Sequence, residues 1–109
     1  MDLKGHDKFL LRGFEVDPAA HTISSSGIAR VVRASSMEVL CLLADRFGSS
    51  IKAEELLHIV FPASGDPHGL LQACVEELRE SLADTSAPNA IIGLEDGRAY
   101  RLLVRPEAC

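Results

Sequence analysis

The chain has no tryptophan, one tyrosine and four phenylalanines among 109 residues, so any core must come mainly from Leu, Val, Ile and Ala. Its three cysteines, Cys41, Cys74 and Cys109, are too few and too scattered for a disulfide framework. Cys41 and Cys74 fall inside helical patterns, where a free thiol behaves as a small buried hydrophobe, and a reduced, cytoplasmic setting is the expectation. No apolar run approaches the roughly 18 residues needed to cross a bilayer. Met1 to Asp7, with Asp2, Lys4, His6 and Asp7, has no signal-peptide core. Basic charge is short as well. The formal net charge of −5 disfavours nonspecific attraction to nucleic acid or acidic membranes. Internal repeats, low-complexity stretches and a second domain are all missing.

What remains is ordinary globular material. Hydrophobic residues at 47% and charged residues at 25% set the chain apart from disordered sequences. The length fits one domain, 1–109, with a core over about 8–104. Residues 8–17 read as a strand, with Phe14-Glu15-Val16 alternating and Asp17-Pro18 stopping it. Shorter strands follow at about His21 to Ser24 and Ile28 to Val32, around a Ser25-Ser26-Gly27 turn. Together they predict an N-terminal antiparallel sheet.

Ser35 and Glu38 have the spacing of a capping box, in which each side chain satisfies the other's orphan N–H. Met37, Leu40, Leu43, Ala44 and Phe47 then recur at helical spacing until Gly48. A second helix, about Ala53 to Val60, offers Leu56, Leu57 and Val60 to the core before Phe61-Pro62 ends it. The third helix, about His68 to Ala83, carries Leu70, Leu71, Cys74, Val75, Leu78 and Leu82 on one stripe. After a linker, Thr85 to Asn89, residues 90–97 and 98–104 read as two strands around an Asp96-Gly97 turn.

A small sheet, three helices and a terminal hairpin is the element order of a winged helix-turn-helix, an α+β fold. Four sequence pieces sharpen that reading: Ser35-x-x-Glu38-x-Leu40-x-Leu42-Leu43, Glu55-Leu56-x-x-x-Val60-Phe61, Leu78-Arg79-x-x-Leu82 and Gly97-Arg98-Ala99-Tyr100-Arg101-Leu102. In this order and spacing the chain resembles the DNA-binding effector domain of OmpR/PhoB-type response regulators and their CadC/ToxR-type relatives, from Phe9 to Val104. The resemblance implies a four-stranded N-terminal sheet, a third helix in the major groove and a hairpin wing on the minor groove. It also implies a role in bacterial two-component signalling, a loop before the third helix that meets RNA polymerase or another regulator, and pairing as a homodimer on DNA. With neither a receiver domain nor a membrane helix in the chain, the input signal is expected from elsewhere, whether the chain is free-standing or the effector part of a longer regulator.

On these grounds Gln72, Ala73, Glu76, Arg79 and Glu80 are the candidate DNA readers of the third helix, with Arg98 and Arg101 on the wing. Arg79 has two readings: it reaches DNA, or it pairs with Glu76 or Glu80 on its own helix. Tyr100 reads as packing at the hairpin base, with a phosphate contact as the alternative. The charge pattern departs from the family, because the third helix holds three Glu and one Arg where DNA-binding members are basic. The second functional reading is therefore a protein-interaction module that presents Glu76, Glu77 and Glu80 to a basic partner or a second copy.

Chemistry of other kinds has little support. Asp66, His68 and Cys74 match no standard zinc spacing, and the loop reads as a solvated surface. The serines lack a Gly-x-Ser-x-Gly context, the glycines form no phosphate loop, and His58 reads as a boundary residue. No enzyme activity, metal or cofactor is expected.

Overall fold

The computed structural model describes residues 8–61, 65, 67–82, 91–95 and 99–108. The strand expected over residues 8–17 is in fact a hairpin, β1 (Phe9–Leu11) and β2 (Phe14–Asp17), with Leu11 opposite Phe14. Arg12 and Gly13 make the reversal at φ +48° and +84°. A two-residue connection of this kind needs positive φ at both positions and most often uses Asn or Asp at the first, so Arg12 gave no cue. Ser26 and Gly27, at φ +54° and +81°, repeat the device between β3 (Thr22–Ser25) and β4 (Ile28–Val31). Four antiparallel strands result, as the family resemblance implies. A fifth, β8 (Glu107–Ala108), adds to the free edge of β1 beyond the residue 104 limit, giving the order β4-β3-β2-β1-β8.

The first helix, α1 (Ala34–Asp45), is largely buried and touches both other helices, α2 (Ala53–Val60) and α3 (Pro67–Ser81). Its start corrects the expected capping box. The N-cap is Arg33, with extended φ −62° and ψ 151°, so Ser35 and Glu38 already lie inside the helix. The role of the box glutamate, holding the N-cap N–H, falls to Glu77 of α3, whose Oε1 accepts from the Arg33 N–H at 3.1 Å. A partner 44 residues away leaves no local sequence signature. Phe47, counted in the apolar repeat, is 41% exposed because the helix ends at Asp45. Leu70 is likewise 40% exposed, at the edge of the α3 stripe, while Leu71, Cys74, Val75, Leu78 and Leu82 are buried.

A second sheet closes the domain. The hairpin of β6 (Ile92–Glu95) and β7 (Ala99–Leu102) is joined by β5 (Ile51–Lys52), a two-residue strand unanticipated in the sequence, in the order β5-β7-β6. Ile51 lies opposite Tyr100, and Ile92 opposite Leu102. Ile51, Ile92 and Leu102 are buried, and Tyr100 packs against the core half-buried, as its packing reading holds. The Asp96-Gly97 turn, the 85–89 linker and Cys109 lie outside the described residues. No helix among the described residues is long and apolar enough to cross a membrane.

Candidate nucleic-acid interface

At about 100° per residue, burial of Leu71, Cys74, Val75, Leu78 and Leu82 forces Gln72, Ala73, Glu76 and Glu80 to the opposite side of α3. Gln72, Glu76 and Glu80 are exposed and Ala73 is half-buried. These four predicted positions therefore form one surface. The other two charged residues of the helix point elsewhere.

Glu77 is half-buried against the start of α1. Besides the Arg33 N–H, its Oε1 accepts from the Ser36 hydroxyl at 2.6 Å, and its Oε2 lies 3.8 Å from Arg33 Nε. Ser36 is fully buried, so this carboxylate satisfies a hydroxyl that water cannot reach. Beside it, the Ser35 hydroxyl contacts Cys74 Sγ at 3.4 Å. Glu77 joins two helices, and its charge is balanced by Arg33.

Arg79 does not take the ion-pair path open to it in the sequence. It bonds neither Glu76 nor Glu80; its Nη2 donates to the carbonyl of Ile92 in β6 at 3.2 Å. Arg30, on β4, donates to the Glu80 carbonyl at 3.1 Å, placing a cation at the negative end of the α3 dipole. The acidic helix is thus bordered by Arg30 and Arg33, both supplied by the N-terminal half of the chain. That proximity was invisible in the sequence, because only the tertiary fold brings these elements together.

Alternation along the hairpin puts Tyr100 and Leu102 on the core face of β7, and Ala99 and Arg101 on the other. Arg101 is half-buried, and Arg98 lies outside the described residues. Lys52, exposed and in register with Ala99, adds a cation to the outer face of this sheet. The sequence reading missed it for want of any signal for so short a strand. His58 is exposed. Of the residues weighed as metal ligands, Asp66 and the side chain of His68 lie outside the described residues, and Cys74 is buried. No group of three His, Cys, Asp or Glu that could hold a metal ion occurs among the described residues.

A three-helix unit between an antiparallel sheet and a terminal hairpin, with one helix exposing a polar face beside that hairpin, defines a winged helix-turn-helix domain. Solved structures place it more closely. The DNA-binding domain of E. coli CadC superposes with a TM-score of 0.78 at 22% identity, covering 94% of this chain and 96% of that one. The Thermotoga maritima response regulator DrrB, an OmpR/PhoB homolog, gives 0.75 at 17% identity over 91% of this chain and 45% of its own. The Klebsiella pneumoniae RstA DNA-binding domain, solved in complex with the RstA box, gives 0.66 at 16% identity over 89% of this chain and 97% of its own. The fold of this chain is the one these domains share. No protein-family model matches the chain, and no curated protein matches it.

Proposed function

We propose that this chain is the DNA-binding effector domain of a transcription regulator, with α3 in the major groove and the β6–β7 hairpin on the adjacent minor groove. The carrying observation is the surface made by Gln72, Ala73, Glu76 and Glu80 beside a hairpin that bears Arg101. Gln72 suits bidentate contact with adenine, and a glutamate accepts from cytosine N4. Arg101, Lys52 and the wing's Arg98 supply the phosphate contacts that any such reader needs. The tertiary position of Glu77 eases the charge conflict, since two glutamates rather than three face outward from α3. The reading is non-catalytic and places the domain in the cytoplasm, where Cys41 and Cys74 stay reduced. Pairing on DNA and contact with RNA polymerase through the loop before α3 belong to the same reading; most of that loop lies outside the described residues.

A second reading starts from the same acidic face. Glu76 and Glu80 are exposed, and among the described residues of α3 no basic residue lies between them on that face, which suits a basic protein surface. Fluorescence anisotropy of the chain on mixed-sequence duplex DNA, at low and moderate salt, separates the two. Micromolar or tighter binding that weakens with salt supports DNA recognition. Absence of binding at low salt overturns it.

A further inference from the structure

The β6–β7 hairpin has an outer strand whose backbone is not free. Ile91 and Leu103 form a hydrogen-bonded pair, with the Leu103 N–H donating to the Ile91 carbonyl at 2.8 Å. Antiparallel alternation then turns the next carbonyl, that of Ile92, away from β7 toward the outer side of β6. Arg79 Nη2 meets it there at 3.2 Å. The inner strand β7 packs on α1, and Arg79 adds a link from α3 to the outer strand.

The arginine is a poor choice for packing alone. Its Nε is buried with no hydrogen-bond partner among the described residues, a penalty that methionine at the same place would avoid. Among the described residues the guanidinium's hydrogen bond is the link to β6. We propose that Arg79 is a positioning residue that ties the outer strand of the wing to α3, fixing the spacing between the groove-reading helix and the hairpin. The tether is a property of the free protein; its effect on DNA rests on the function proposed above.

Deuterium exchange on the free chain, paired with DNA titration, tests it. Arg79→Met keeps the apolar stem and removes the donor. It is expected to raise exchange in residues 91–95 and 99–102 by about tenfold while the α1 amides of residues 39–43 keep wild-type protection. Arg79→Lys, which keeps a donor on a similar stem, is expected to restore most of that protection. DNA affinity should follow the hairpin, falling several-fold in Arg79→Met and recovering in Arg79→Lys. Exchange that rises equally in α1 and the hairpin, or in neither, overturns the tether. A selective rise with unchanged DNA affinity overturns the positioning role. If the wild-type chain binds no DNA, the proposed function and the role in spacing both fall, while the exchange data still decide whether the tether exists.

Discussion

Replacing Glu77 by alanine should damage the fold far more than any other glutamate substitution on α3. The carboxylate holds the buried Ser36 hydroxyl at 2.6 Å and the N–H of the α1 N-cap at 3.1 Å. Loss of a hydrogen bond to a charged group costs about 1.5–3 kcal/mol. Loss of a helix cap costs about 0.5–2 kcal/mol, and Arg33 has no side-chain cap of its own to substitute. The ion pair adds little, about 0–1 kcal/mol, because the Arg33 side chain is 55% exposed. The three contributions share one carboxylate and do not add in full, which leaves roughly 2–4 kcal/mol for Glu77→Ala. For a domain near this size that lowers Tm by roughly 10–20 °C. Glu77→Gln keeps an acceptor for the same donors and should cost about 1 kcal/mol. Glu76→Ala, at an exposed position, should stay within about 0.5 kcal/mol of wild type. Urea denaturation followed by far-UV circular dichroism measures all three. If Glu77→Ala matches Glu76→Ala, the structural role assigned to Glu77 is refuted.

Further outcomes follow from local chemistry. Burial, then the nearby charges of Asp45 and Glu38, push the Cys41 thiol up from 9.0 to about 12, so alkylation at about pH 8 should proceed only through unfolding. Because the folded value lies above the unfolded one, this thiol's contribution to stability is full below about pH 9 and is lost as pH rises toward 12; Cys41→Ala should show a smaller alkaline fall in urea midpoint than wild type. Gly13 sits at φ +84° with nothing within 4 Å of an added Cβ, so Gly13→Ala should cost about 1 kcal/mol through backbone strain alone, read from the urea midpoint. Arg46 and Glu55 pair at 2.6 Å with both side chains 44% exposed; Arg46→Ala should cost at most about 1 kcal/mol, and the difference should shrink in high salt.

The periodic parts of the fold were legible from residues alone. The α2 bounds and the buried stripe of α3 follow from helical spacing, because apolar side chains at that period have one way to bury. The resemblance supplied the fourth strand of the N-terminal sheet, which the Arg12-Gly13 turn had hidden by joining two alternating runs without a break in pattern. Strands β5 and β8 have two residues each and exist through pairing with β7 and β1, so local sequence holds no trace of them. The same limit applied to the candidate interface. Helical geometry placed Gln72, Ala73, Glu76 and Glu80 on one face, but it could not tell that Glu77 had become the cap of another helix. Nor could it show Arg79 reaching a strand carbonyl, because both partners are distant in sequence. Charge counted along a helix overstated the charge on its exposed face.

Whether α3 faces nucleic acid is decided most directly by reversing the charge of the two glutamates that remain exposed, with Glu77 left in place to hold the fold. The double variant Glu76→Lys/Glu80→Lys is titrated against wild type on mixed duplex DNA by fluorescence anisotropy over a range of salt concentrations. With α3 in the groove, removing two repulsive charges and adding two attractive ones should tighten low-salt binding by about tenfold or more and steepen the salt dependence. Equal affinity and equal salt slope for the two proteins would contradict the placement of this helix against DNA.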